Sequence, residues 1–187
     1  MSGTVNVTNL IVRVNAYTFQ TGTINFPTTG AGGIIEVNTF NAATFSATLS
    51  GKVTLNATGN TGTSSSTAVA IISGNNTGLT SFELNTGGAG NLVTVSSVGA
   101  FGANGSPLKL TKGVFNYNAA AGSTYNSWVT DFAGGALRQR VAGAASTYSG
   151  NGTLSDESFF FHGFKQPGQA SGLQSHHGPN LGSWRPL

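Results

Sequence analysis

The sequence has no cysteine, only 5 prolines, and only 8 basic and 5 acidic residues among 187. Without cysteine there is no disulfide, no thiolate metal site and no cysteine nucleophile. No stretch reaches the roughly 18 apolar residues that a membrane-spanning helix needs. The first residues, Met1 to Val7, lack the basic start and apolar core of a secretory signal, so we expect synthesis in a cytoplasm and no membrane partner.

Charged residues make up 7% of the chain, whereas soluble domains contain about 25%. The net charge is +3, but the basic residues are scattered, with Lys109 near Lys112 and Arg138 near Arg140. No run of five or more Lys or Arg exists to neutralise phosphates. Nucleic acid is therefore not an expected partner.

The scarcity of charge admits two interpretations. A compact monomer of 18.9 kDa exposes about 8,300 Å², which few charges would then hydrate. Either Asn, Thr and Ser side chains hydrate this surface, or other protein subunits cover much of it. We favour the second, because charged residues are depleted at the centres of protein interfaces.

Apolar and polar residues alternate over many short segments, and the longest alternation runs from Phe45 to Ala57. Clusters of Gly, Asn, Ser and Thr separate these segments, as at residues 28–33, 74–78 and 102–107. Short alternating strands with such turns are typical of antiparallel sandwiches and barrels.

We therefore predict an all-β, jelly-roll-like antiparallel β-sandwich or barrel over residues 1–164. No fixed internal period is visible, which argues against a solenoid. One short helix is predicted over residues 133–145, where Leu137, Val141 and Ala144 have helical spacing.

Residues 165–187 differ in composition and hold three of the prolines. Proline removes ladder donors, so we predict an extended Pro/Gly-rich C-terminal arm that orders on a neighbouring subunit. The alternative is a frayed terminus. Aromatic side chains would anchor the arm, and the predicted interface residues are Phe159, Phe160, Phe161, Phe164, Pro167 and Trp184.

No catalytic, cofactor or metal site is predicted. The three histidines are His162, His176 and His177, and no Gly-x-Ser-x-Gly element accompanies them. The glycine clusters do not match a phosphate-binding motif. An enzyme would need His162 and Asp156 to converge in a pocket, which is the least favoured hypothesis.

Three aromatic residues in the second half, Tyr117, Tyr125 and Trp128, alternate with asparagines. Large amphipathic rings beside amides suit stacking on a glycan. They suit the core or a subunit interface equally well, and both interpretations stay open here.

These features together predict a non-catalytic structural protein that assembles with copies of itself and with other structural proteins. A virion component, either capsid-decorating or tail-associated, fits a cysteine-free β protein without a basic arm, and its location would be the virion. The alternative is a carbohydrate-binding or adhesive module on a cell or virion surface.

Overall fold

The computed structural model describes residues 3–14, 16–38, 42–57, 68–86, 92–117, 124–139, 152–154 and 161–162. Within these ranges the chain forms sixteen short strands. They are β1 (Thr4–Asn6), β2 (Asn9–Val12), β3 (Thr18–Phe19), β4 (Thr23–Asn25), β5 (Gly33–Val37), β6 (Ala43–Phe45), β7 (Thr48–Ala57), β8 (Ala68–Ile72), β9 (Leu79–Asn85), β10 (Leu92–Val95), β11 (Pro107–Lys112), β12 (Val114–Tyr117), β13 (Val129–Phe132), β14 (Ala136–Gln139), β15 (Gly152–Leu154) and β16 (Phe161–His162).

Every strand pair described is parallel, and partners come from successive coils of the chain. One sheet has the order β1-β4-β7-β9-β11-β13-β15, with β2 beside β5 and β5 beside β7. The other has the order β16-β14-β12-β10-β8-β6-β3. Each of the first two coils adds two strands to the larger sheet and one to the other, and from β7 onward the chain alternates between the two sheets. The fold is therefore a parallel β-solenoid.

The longest strand, β7, joins two parts of the larger sheet. Its first residues, Thr48–Ser50, pair with β4, and its last residues, Val53–Ala57, pair with β5. Gly51 between them has φ +89°, a conformation that glycine adopts without steric cost. A Cβ there would lie 2.1 Å from the carbonyl oxygen of Phe26, so this crossing of coils requires glycine.

Inward side chains stack on one another between the sheets. One buried ladder runs from coil to coil through Ile35, Leu55, Leu84, Leu110 and Phe132. In the other sheet Phe19 stacks on Phe45 with ring centroids 5.0 Å apart and 6° between the planes. Because each strand buries alternate residues, the period of two in the sequence reports this one-sided burial.

A buried asparagine connects three coils at a corner. The Asn76 side chain is 0% exposed; its Oδ1 accepts the Leu49 N–H at 2.7 Å and its Nδ2 donates to the Ala100 carbonyl oxygen at 2.8 Å. Since buried backbone groups need partners, this amide substitutes for ladder hydrogen bonds where the chain turns.

The all-β prediction is confirmed, but the antiparallel sandwich, barrel or jelly-roll prediction is wrong. Alternation shows that one face of a strand is buried and contains no information on the direction of its partner. Parallel sheets are usually covered on both faces and read as continuous apolar runs. Solenoid strands are parallel yet bury only their inner side, so their pattern imitates that of antiparallel strands.

The prediction that the chain is not a solenoid is also wrong. In-register partners lie 19 residues apart at Thr4 and Thr23 and 29 apart at Lys52 and Ser81. Coil length varies because the corners differ in length, so the sequence shows no repeat of fixed length. The helix predicted over residues 133–145 is wrong in its described part, where residues 136–139 form β14 parallel to β12.

Engineered disulfides test the register. Thr23→Cys with Thr48→Cys places two cysteines at in-register positions of β4 and β7, where neighbouring strands lie about 4.8 Å apart. Disulfides form across Cα distances of about 4.4–6.8 Å, so we expect an intrachain bond, detected by mass spectrometry of dilute oxidised protein. The control pair, Thr23→Cys with Ser50→Cys, is displaced by two residues and should stay mostly reduced; equal yields would contradict the register.

Truncating the buried amide tests the corner. Asn76→Ala leaves the Leu49 N–H and the Ala100 carbonyl without their side-chain partner, so we expect the free energy of unfolding to fall by about 2–6 kcal/mol, taking about 1–3 kcal/mol per unsatisfied buried group. Urea unfolding measures it. The control Asn75→Ala changes an exposed neighbour and should cost at most about 0.5 kcal/mol; a similar cost for both variants would show that the Asn76 bonds contribute little.

Candidate functional site

The outward side chains of the solenoid form three surfaces. The Thr–Asn face comprises the outer sides of β1, β4 and the Thr48–Ser50 part of β7. The charged face comprises those of β2, β5, the rest of β7 and β9, β11 and β13. The hydroxyl face comprises those of β3, β6, β8 and β10.

Charge is confined to one of these surfaces. Among the described side chains seven are formally charged, and six of them lie on the charged face: Glu36, Lys52, Glu83, Lys109, Lys112 and Asp131. The seventh, Arg13, follows directly after β2. In the described part of the chain, the Thr–Asn face and the four strands of the hydroxyl face therefore contain no charged residue. Farther along the same sheet, Arg138 of β14 is in register with Thr94 of β10 through Asn116 of β12.

Three of the charges on the charged face form a row in which the sign alternates from coil to coil. Glu83, Lys109 and Asp131 occupy one in-register row. The Lys109 Nζ lies 3.7 Å from the Glu83 Oε1, and Thr111 Oγ1 donates to the same oxygen at 2.6 Å. Both charged side chains are partly exposed, so this pair contributes about 0–1 kcal/mol. The row is consistent with a solvated surface rather than with an acid–base site.

The Thr–Asn face repeats a three-residue pattern on three strands. Thr4, Thr23 and Thr48 are in register, and so are Asn6, Asn25 and Ser50. The Asn25 Nδ2 donates to the Asn6 Oδ1 at 3.1 Å, and the Ser50 hydroxyl donates to the Asn25 Oδ1. These bonds fix the amide orientations, so the face is an ordered array of donors and acceptors.

A shallow groove of about 310 Å³ lies beside this array. Its walls come from two coils, with Asn6, Val7 and Thr8 on one side and Asn25, Phe26 and Pro27 on the other. Phe26 is buried at 4% exposure, while Thr8 and Pro27 are exposed. The groove thus combines amide and hydroxyl groups with small apolar patches and contains no ionisable group.

The hydroxyl face carries a second array. Thr18, Thr44, Ile71 and Thr94 form one in-register row. The Ser46 and Ser73 hydroxyls are hydrogen-bonded at 2.8 Å. Exposed apolar side chains border the first strand of this face, since Val14 is 63% and Tyr17 43% exposed.

The structure places two of the three candidate glycan-binding or interface aromatics in the core. Tyr125 is 2% and Trp128 0% exposed, and Phe101 packs on Trp128 with ring centroids 5.1 Å apart. The Trp128 Nε1 donates to the Gly102 carbonyl oxygen at 3.1 Å, as a buried indole requires. Tyr117 ends β12, and its backbone is in register with Val95.

The residues of the predicted arm interface lie almost entirely outside the described part of the chain. This holds for Phe159, Phe160, Phe164, Pro167 and Trp184, and for the whole arm 165–187. Phe161 begins β16, where its backbone pairs with Leu137. Asp156, proposed for the enzyme alternative, also lies outside the described residues, and His162 ends β16.

In the described ranges no three His, Asp or Glu side chains come together as a group that could hold a metal ion. The same residues contain no helix long and apolar enough to cross a membrane.

The two uncharged arrays were missed by sequence reasoning. The signal of the Thr–Asn face is the triplet Thr-x-Asn or Thr-x-Ser at residues 4–6, 23–25 and 48–50. The intervals of 19 and 25 residues between in-register threonines are unequal, so a search for a fixed repeat does not detect them. Comparison with family models, with curated proteins and with solved structures finds no match to the chain.

Fluorescence tests the burial of Trp128. The chain has two tryptophans, so Trp184→Phe leaves Trp128 as the single reporter. Its indole is 0% exposed, so we expect blue-shifted emission and weak quenching by acrylamide, and both should change to solvent-like values in concentrated urea. Solvent-like quenching of the native variant would contradict the buried position.

Proposed function

We propose that this protein is a non-catalytic structural protein that associates with copies of itself through one uncharged outer face of its solenoid, the hydroxyl face. The supporting observation is the confinement of six of the seven described charged side chains to one face. A polar but uncharged surface loses less solvation free energy on burial than a charged one. The narrower prediction of a virion component stays a prediction from composition.

The hydroxyl face suits contact between copies better than the other two. Its rows consist of hydroxyl groups with Ile71 among them, and Tyr17 precedes its first strand with 43% of its surface exposed. Aromatic and apolar groups are enriched at the centres of interfaces, where charges are depleted. In a two-fold contact the same surface is used by both copies, and residues near the axis meet their own symmetry mates, so an uncharged face also avoids repulsion between like charges there.

A charge placed on the hydroxyl face tests this proposal. Thr44→Lys introduces a cation at the middle of the face, and two copies in contact would bring these cations together or bury them. We expect sedimentation velocity to show oligomers for the unaltered protein and at least a tenfold weaker association for the variant, which corresponds to about 1.4 kcal/mol.

The matched control is Thr54→Lys, at a part-buried outward threonine of β7 on the charged face. Thr54 is in register with Glu83, so the added cation meets an acidic neighbour and should leave association unchanged. A monomeric mass for the unaltered protein across micromolar concentrations would overturn the proposal. So would equal weakening by both variants, because association would then not depend on the hydroxyl face.

A further inference from the structure

We propose that the groove beside the Thr–Asn face binds a neutral polysaccharide. This is a binding site separate from the hydroxyl face, and it does not depend on the proposed self-association. It also differs from a site built on Tyr125 and Trp128, whose side chains are in the core.

The groove has the composition that a sugar requires. A neutral saccharide presents hydroxyl groups, which donate and accept hydrogen bonds, next to apolar C–H patches. Side-chain amides offer both donors and acceptors, and Asn6 and Asn25 line the groove. Val7 and Pro27 supply apolar surface on the same walls, as in ligand sites where a few polar groups set orientation within apolar walls.

The amides are held in place before a ligand arrives. Asn25 donates from its Nδ2 to Asn6 Oδ1 at 3.1 Å and accepts at its Oδ1 from the Ser50 hydroxyl. An amide nitrogen carries two hydrogens, so the Asn25 bond to Asn6 uses one of the two. Groups already ordered lose less conformational entropy on binding, which favours association with a weakly interacting ligand such as a sugar.

The array next to the groove favours a polymer over a single sugar. Its rows repeat about every 4.8 Å from coil to coil, and two outward residues of one strand lie about 6.7 Å apart. The rows Thr4–Thr23–Thr48 and Asn6–Asn25–Ser50 therefore continue the hydrogen-bonding surface beyond the groove. The absence of ionisable groups among the groove-lining residues gives no attraction for an anionic or cationic chain.

Native affinity electrophoresis tests the site. The full chain is run in gels containing hydroxyethyl cellulose, a neutral xylan, a galactomannan or, as a charged polymer, polygalacturonate. We expect retardation by at least one neutral polymer, whereas any retardation of this chain, whose net charge is +3, by polygalacturonate should be the same for Asn25→Ala as for the unaltered protein. Asn25→Ala removes both side-chain hydrogen bonds of Asn25, and Thr23→Val replaces a hydroxyl with a methyl group of similar size. Each variant should weaken retardation at least tenfold.

Thr54→Val is the matched control, since it makes the same replacement on the charged face and should leave retardation unchanged. Far-ultraviolet circular dichroism and the urea midpoint show whether each variant is folded. If Asn25→Ala unfolds, Thr23→Val still tests the site, because it removes only one outward hydroxyl. The proposal is overturned if no neutral polymer retards the chain, or if Thr54→Val loses as much retardation as Thr23→Val.

Sedimentation of the same variants separates this proposal from the proposed function. Asn25→Ala and Thr23→Val should leave the oligomer mass unchanged, whereas Thr44→Lys should change the mass and leave retardation intact. If Asn25→Ala or Thr23→Val instead lowers the oligomer mass, the occupant of the groove is a second copy of the chain, and the polysaccharide proposal is wrong.

Discussion

The structure depends on one constraint, the parallel in-register pairing of each strand with the strand one coil away. Strands paired in this way lie about 4.8 Å apart, so every side chain stacks on a side chain of the neighbouring coil. Inside, this produces continuous apolar rows such as Leu55, Leu84 and Leu110. Outside, it places Glu83 next to Lys109. Two like charges at these positions would repel each other. Composition along a row is therefore restricted even where the surface is exposed.

Sequence reasoning located the strands because local burial sets the period of two, as at Phe82 and Leu84 of β9. It could not find their partners, since pairing across 19 to 29 residues depends on corner lengths that vary. At β8 the side chains of Ala70 and Ile72 are the buried ones. In a short apolar run such as residues 68–72, composition does not distinguish the two sides.

The candidate site was less predictable than the fold. Tyr125 and Trp128 suggest a glycan site because rings beside amides suit sugars, yet both are buried. The indole N–H of Trp128 donates to the Gly102 carbonyl oxygen. That partner lies 26 residues away, in the preceding coil. Conversely, Asn6 and Asn25 have no distinguishing sequence context. They become a pair only when β1 and β4 align, which shows that a solenoid surface is defined between coils rather than along the chain.

The scarcity of charge has two physical explanations, and the charged face helps to separate them. Stacking in register penalises like charges, which alone would lower the charge content of any solenoid row. Yet Glu83, Lys109 and Asp131 show that a row accommodates charges when their signs alternate. Stacking therefore does not require the Thr–Asn face and the hydroxyl face to be uncharged. The proposed contacts, association at one face and a neutral ligand at the other, would account for their hydroxyl and amide rows, because desolvating charge is costly.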